Sequence, residues 1–405
     1  MAIFYNILLI YAYLLIGEIM KKIMLSLLLI LISFNYDHVC AKINVELNSK
    51  SAIVIEESSK KVLFEKNSNE KLAPASMTKI MTLLLIAEAI EDGRLSLDKE
   101  VLASEYAVSM GGSQVYLEAN SKYKVSELIK AIGVGSANDA AVVLAEVIGG
   151  TVENFVAMMN AKVKELGLKN TNFKNPHGLD EANHYSSAYD MAIIASELVK
   201  YSYILNVTST YEDNFTHPNG KSIWLVNTNS LIRFYDGVDG LKTGYTSEAG
   251  YCLTATKKVG DMRIITVTMN AETKEARNTD TIKLMETAFS MFNVKTVINS
   301  ANSLGQIFVD KSPIKYVDYY LEEDAKILFD SELRDINYDY EIELNDLTAP
   351  LSSGEIIGKL KLKYDNETVQ YNLVVKDEIK KATFFQTIIS YFKDVISGNI
   401  NFIKN

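Results

Sequence analysis

Cysteine is almost absent: the 405 residues hold two, Cys40 and Cys252. Cys40 falls inside what reads as a secretory signal, so cleavage would leave Cys252 alone and no internal disulfide is expected. The compartment must therefore be read from targeting. An excess of basic charge is missing as well. The 41 lysines and arginines are outnumbered by 51 acidic residues, a net charge of −10. That balance excludes the basic footprint of a nucleic-acid binder. Histidine offers little to a metal. His177 and His184, even with Asp180 and Asp190, fit no strong zinc spacing, so neither a metal nor a cofactor is expected.

Two apolar stretches are present at the N-terminus, 3–17 and 23–34, split by Glu18 and Lys21-Lys22. Met20-Lys21-Lys22, the apolar core and Val39-Cys40-Ala41 together read as an export signal over residues 1–41, cleaved after Ala41. A start at Met20 would make residues 1–19 an upstream extension, and a membrane hairpin is the competing reading.

The length suggests two folded domains. Alternation predicts a strand over Ile43–Leu47; Ala52–Ile55 is a short continuous apolar run that predicts a strand, paired with Lys61–Glu65 as a hairpin. Ile80–Ile90 is apolar on nearly every side, which predicts a buried helix, with Pro74 before it and Gly93 after it. Helical patterns follow over 125–148, broken at Gly133–Ser136, then over 155–166 and 187–201. Strands are expected at 251–256 and 262–269, and a closing helix at 276–292. Helices enclosed between early and late strands predict an α+β domain, one sheet assembled from both chain ends with helices on its faces, over 42–293. Residues 294–379 carry short β-rich runs at 314–320, 326–328, 341–344, 356–364 and 368–375, a small all-β module. Residues 380–405 close the chain with Phe384, Phe385, Ile388, Ile389, Phe392, Val395 and Ile396 on one helical face. With Lys380, Lys381, Lys393 and Lys404 nearby, this is an amphipathic anchor for an anionic membrane surface.

Three short words carry the chemistry: Ser76-Met77-Thr78-Lys79, Ser136-Ala137-Asn138 and Lys242-Thr243-Gly244. The first pattern, S-x-x-K, recurs at six other places, such as Ser96/Lys99 and Ser390/Lys393, so spacing alone decides nothing. Context separates Ser76 from the others. A lysine opening a wholly apolar helix is hard to explain as packing. Three residues apart on a helix, Lys79 can reach the Ser76 hydroxyl. A serine is a weak nucleophile until an adjacent base takes its proton, and lysine becomes that base only when burial or a second cation lowers its pKa. Lys242 is the candidate second cation. On an edge strand, Lys242-Thr243-Gly244 would pair with an extended peptide and meet its terminal carboxylate.

These words, extended by Pro74-Ala75-Ser76-Met77-Thr78-Lys79-Ile80-Met81-Thr82, Gly112-Ser113-Gln114, Ser136-Ala137-Asn138-Asp139-Ala140, Asn175-Pro176-His177-Gly178-Leu179-Asp180 and Gly240-Leu241-Lys242-Thr243-Gly244-Tyr245-Thr246, make the chain resemble the low-molecular-mass penicillin-binding proteins. These are the serine D-alanyl-D-alanine carboxypeptidases of peptidase family S11. The resemblance covers about residues 45–292 and implies a penicillin-binding/β-lactamase-like catalytic fold. It also implies Ser76 as nucleophile, Lys79 as its base and Ser136 as proton relay to the leaving amine. Asn138 would bind substrate backbone, Lys242, Thr243 and Gly244 the carboxylate strand, with help from Arg277. The backbone N–H groups of Ser76 and Tyr245 would form the oxyanion hole. Implied partners are a peptidoglycan stem peptide ending in D-Ala-D-Ala, β-lactam antibiotics and the outer face of the cytoplasmic membrane. A class A-like β-lactamase is the alternative, but no E-x-x-L-N segment lies between Asn138 and Lys242. A decayed wall-binding protein is the other, and it would not need every side chain of the set.

Overall fold

The computed structural model describes residues 45–333, 336–365 and 367–396. The expected export signal, residues 1–41, lies outside them.

An antiparallel hairpin of β1 (Ser51–Glu56) and β2 (Val62–Lys66) opens the fold, pairing Ala52 with Lys66 and Val54 with Phe64. A 3₁₀ turn, Ala75–Thr78, then feeds the helix Lys79–Glu91. Ile80, Met81, Leu83, Leu84, Ile86 and Ala87 of this helix are all buried, as a helix apolar on every side requires. Two short strands, β3 (Glu100–Leu102) and β4 (Lys122–Lys124), pair with each other. Helices Val125–Gly133, Asn138–Gly149, Val152–Glu165, Ala188–Leu198 and Ser202–Thr208 follow. A second small hairpin joins β5 (Glu212–Thr216) to β6 (Ser222–Val226). The chain then returns to the first sheet as β7 (Val238–Thr246), β8 (Gly250–Val259) and β9 (Met262–Ala271), and crosses it with the helix Lys274–Met291.

The five strands lie in the order β2-β1-β9-β8-β7, every pair antiparallel. The sheet is thus built from both chain ends, with the helices between, as the sequence pattern implied. It leaves β7 on the edge. That strand is held in place from two strands away: Arg263 on β9 grips Asp239 through two parallel bonds of 2.9 and 2.8 Å. Such a fork fixes geometry as well as adding energy.

The expected strand over Ile43–Leu47 is a correction. Residues 43–44 lie outside the described set, and 45–47 form no ladder. The Lys66 ammonium takes the carbonyls of Leu47 and Ser49, at 2.9 and 2.8 Å. Asp280 on the Lys274–Met291 helix accepts the N–H and hydroxyl of Ser49, at 2.6 and 2.7 Å. Side chains from distant elements thus claim the groups a neighbouring strand would need. Sequence periodicity also passes over β3 to β6, which are too short to show a period.

After Met291 the chain is β-rich: β10 (Phe292–Ile298), β11 (Gly305–Asp310), β12 (Tyr316–Leu321), β13 (Ala325–Asp330), β14 (Tyr338–Leu344), β15 (Leu347–Thr348), β16 (Ile356–Tyr364) and β17 (Glu367–Val374). Six of these form a sheet in the order β14-β16-β17-β12-β11-β15, and β10 pairs with β13. The module has its own core around Leu321, Ile327, Leu360, Leu362 and Leu373. The last helix, Phe384–Ile396, leaves Phe384, Phe385, Ile389 and Phe392 exposed. The remainder of the expected anchor, residues 397–405, lies outside the described set. Among the described residues no single helix is long and apolar enough to cross a membrane.

Candidate active site

Ser76 sits in the 3₁₀ turn, partly exposed, and Lys79 is the first residue of the buried helix behind it. The i, i+3 spacing brings Lys79 Nζ to 3.0 Å from Ser76 Oγ. The lysine is fully buried, yet among the described residues it has no carboxylate partner. Its other neighbours are the Asn138 Oδ1, at 2.6 Å, and the main-chain carbonyl of His177, at 2.7 Å. Asn138 is oriented by its own amide: Nδ2 donates to the Gly111 carbonyl at 2.7 Å, which turns Oδ1 toward the lysine. Both acceptors can only receive hydrogens from Nζ. A neutral amine has two N–H bonds to give them, and its lone pair then faces Ser76.

Burial holds Lys79 well below the ordinary lysine pKa, and the nearby Lys242 pushes the same way. Asp139 pulls in the opposite direction but is engaged elsewhere. Its buried carboxylate accepts the N–H groups of Val115 at 3.2 Å, Leu117 at 3.1 Å and Ala140 at 2.9 Å. Asp139 therefore fixes the 110–117 segment, which carries the Gly111 carbonyl, rather than neutralising the lysine.

The turn under Ser76 is tightly framed. Ala75 holds φ at +45° and Ser136 at +63°, a region that costs non-glycine residues about 1–3 kcal/mol and tends to mark functional positions. Gly178, at φ +86°, passes so close that a Cβ there would stand 1.9 Å from the Ala75 carbonyl oxygen. Gly244 does the same from β7, where a Cβ would stand 2.5 Å from the Pro74 oxygen. Asn175 braces the loop from inside, accepting the Gly178 N–H at 2.7 Å and donating to the Leu179 carbonyl at 3.0 Å.

The two histidines have structural partners. His184 Nδ1 accepts the Lys174 N–H, so its Nε2 carries the hydrogen and donates to Thr78 Oγ1 at 2.8 Å. Burial lowers His184 to about 4 and is the main cause that lowers His177 to about 3. His177 Nδ1 accepts the Leu179 N–H. Among the described residues no three histidine, cysteine, aspartate or glutamate side chains gather as a metal site.

On the facing wall, Lys242 and Thr243 are both buried on β7, and Tyr245 is exposed, its ring against Tyr251 at 4.4 Å. Burial and the neighbouring Arg277 lower Lys242 to about 7. Arg277, on the Lys274–Met291 helix, is buried too, and its Nε and Nη2 donate to Asn278 Oδ1. Two buried basic side chains thus lie within electrostatic range, and among the described residues neither forms a salt bridge with a carboxylate. Ser136 is nearly buried and its hydroxyl bonds to no described residue. The structure therefore joins Ser76, Lys79 and Asn138 directly, and Lys242, Thr243, Gly244 and Arg277 around the edge strand. Sequence reasoning missed Thr228, whose hydroxyl accepts from Thr243 Oγ1 at 2.7 Å and from Lys242 Nζ at 3.4 Å. It also missed that His177 contributes a carbonyl rather than its ring.

In the free enzyme, Lys242 must be charged to attract an anion, and that charge is lost as pH rises through about 7. The alkaline limb of kcat/KM for a peptide with a free C-terminal carboxylate should fall there. In Lys242→Arg the guanidinium stays charged and the limb should move up by at least one pH unit, as stopped-assay pH profiles would show. An unmoved limb would assign it to another group.

Residues 38–273 match the family described as D-alanyl-D-alanine carboxypeptidase, peptidase S11, and residues 292–381 match the penicillin-binding protein 5 C-terminal domain. The chain is 48% identical over 339 residues to the D-alanyl-D-alanine carboxypeptidase DacF of Bacillus subtilis, covering 83% of this chain and 87% of that one. It is 33% identical over 364 residues to DacA of Escherichia coli, covering 86% and 88%. Penicillin-binding protein 5 of Haemophilus influenzae superposes with a TM-score of 0.66 at 32% identity, over 84% of this chain and 99% of that one. Penicillin-binding protein D2 of Listeria monocytogenes, in its ampicillin-bound form, does so at 0.52 and 33%, over 61% and 99%. With the two family models matched in that order and a relative 48% identical over most of its length, the chain belongs to the S11 family of D-alanyl-D-alanine carboxypeptidases.

Proposed function

We propose that the chain is an exported serine carboxypeptidase that removes the terminal D-alanine from peptidoglycan stem pentapeptides and is acylated by penicillins. The observation that carries this reading is the buried Lys79 amine, 3.0 Å from Ser76 Oγ and bonded otherwise only to acceptors. An amine so held is a base aimed at one hydroxyl.

The peptide pairs along β7, with its terminal carboxylate toward Lys242, Thr243 and Arg277. Ser76 Oγ attacks the carbonyl of the penultimate D-alanine while its proton passes to Lys79. The backbone N–H groups of Ser76 and Tyr245 receive the oxyanion, a contribution of about 3 kcal/mol per donor in comparable sites. Ser136 passes a proton to the leaving amine, free D-alanine departs, and Asn138 holds the acyl-enzyme's backbone. Water then releases the shortened peptide and restores Ser76. A penicillin, with a carboxylate beside a strained amide, takes the same path as far as the acyl-enzyme. Support comes from the named carboxypeptidase relatives and from the ampicillin-bound Listeria protein.

Export with cleavage after Ala41, and peripheral attachment of residues 380–405 to an anionic membrane, complete the reading. The exposed apolar residues of Phe384–Ile396 support the attachment.

Mass spectrometry of a wall pentapeptide incubated with the protein should show loss of one D-alanine. Ser76→Ala should slow this by roughly 10⁴-fold or more and abolish the penicillin adduct. Unchanged turnover in that variant would refute the nucleophile, and rapid penicillin release would favour a lactamase. Fractionation should move a chain lacking residues 381–405 from membranes to the soluble pool. A truncated chain that stays membrane-bound would contradict the anchor.

A further inference from the structure

Between β6 and β7 the chain reads Asn227-Thr228-Asn229. The two asparagines are buried and entirely spent on main chain. Asn227 Nδ2 donates to the carbonyls of Thr208 and Thr210, both at 2.9 Å, and its Oδ1 accepts the Asn229 N–H at 2.9 Å. Asn229 Nδ2 donates to the Gly240 carbonyl of β7 at 3.0 Å, and its Oδ1 accepts the Leu231 N–H at 3.2 Å. The clamp ties this segment to the strand that carries Lys242 and Thr243, and it leaves the residue between the asparagines exposed.

That residue is Thr228. Its oxygen already accepts two hydrogens, one from the Thr243 hydroxyl and one from the Lys242 ammonium. A hydroxyl oxygen with both lone pairs engaged has its own hydrogen left to give. No described residue receives that hydrogen, and the side chain faces open solvent beside two buried cations that have no carboxylate partner. An anion entering there would meet a donor already aligned.

We propose that Thr228 is a substrate-binding residue, donating its hydroxyl hydrogen to the terminal carboxylate of the peptide beside Lys242 and Thr243. The assignment rests on the carboxypeptidase reading and extends it to a residue outside the three motifs. Thr228 orders the carboxylate side of the site in two ways. It holds the Thr243 hydroxyl in one rotamer, and it adds a donor to a bond made with a charged acceptor, the stronger kind.

The test compares Thr228→Val, which keeps the shape and removes the hydroxyl, with Thr228→Ser, which keeps the hydroxyl. For a pentapeptide ending in D-Ala-D-Ala, Thr228→Val should raise KM about tenfold and leave kcat within about twofold, the loss expected for a hydrogen bond to a charged group. Thr228→Ser should restore KM. Thermal melting of both variants identifies a mere folding defect, which would lower the apparent kcat in proportion to unfolded protein and leave KM unchanged. An unchanged KM in Thr228→Val, or a Thr228→Ser no better than the valine variant, overturns the assignment. Penicillin labelling of wild-type Ser76 tests the underlying reading separately: its absence would refute the carboxypeptidase, while labelling without a Thr228 effect on KM would refute only this inference.

Discussion

The site depends on one costly constraint, a lysine amine sealed from water with no carboxylate beside it. Moving an ammonium group out of water costs several kcal/mol even after relaxation. Burial accordingly holds the pKa of Lys79 well below the ordinary lysine value, and its neighbours are arranged so that a neutral amine would be well satisfied. Asn138 Oδ1 and the His177 carbonyl take its two hydrogens, which leaves the lone pair for Ser76. Much of the surrounding construction can be understood as holding those acceptors still. Asp139 pins the 110–117 segment, Gly111 orients Asn138, and Asn175 with Gly178 shapes the loop that presents His177.

The opposite wall uses the same physics with the opposite sign. Lys242 and Arg277 are both buried, neither forms a salt bridge among the described residues, and burial together with Arg277 weakens the hold of Lys242 on its charge. On the proposed reading, a carboxylate bound beside Lys242 would offset that effect of Arg277 and favour the charged amine. The two walls also communicate: Lys242 lowers Lys79, so a carboxylate that compensates Lys242 alters the electrostatic setting of the base.

Much of this was legible in the sequence, for identifiable reasons. The buried helix announced itself through its unbroken apolar run, and Ser76 and Lys79 through a spacing that a helical or 3₁₀ turn closes equally well. Edge placement of Lys242-Thr243-Gly244 followed from its flanks, Asp239-Gly240-Leu241 ahead and Tyr245-Thr246 behind, which suit an edge strand, and β7 is at the sheet's edge. The hairpin of β1 and β2 followed from a short continuous apolar run with a second run after it, and the long strand β16 from a β-rich run bounded by turns. What could not be read depends on partners distant in the chain. Leu47 and Ser49 lose their strand to Lys66 and Asp280, the latter more than two hundred residues away. His177 drew attention by its ring, whereas its carbonyl matters, and any residue has a carbonyl. Thr228 belongs to no chemical motif, and only the fold of the Asn227 and Asn229 clamp brings it to Lys242.

The central claim is that Lys79 is a neutral amine in the resting protein. Its titration can be followed directly by NMR, with lysine labelled at the ζ nitrogen and ε carbon and the Lys79 resonance assigned through Lys79→Arg. The account predicts a midpoint far below the ordinary lysine value of 10.5, so that the amine is uncharged where the enzyme works. A Lys79 resonance that stays in the ammonium form up to the ordinary lysine range would contradict it.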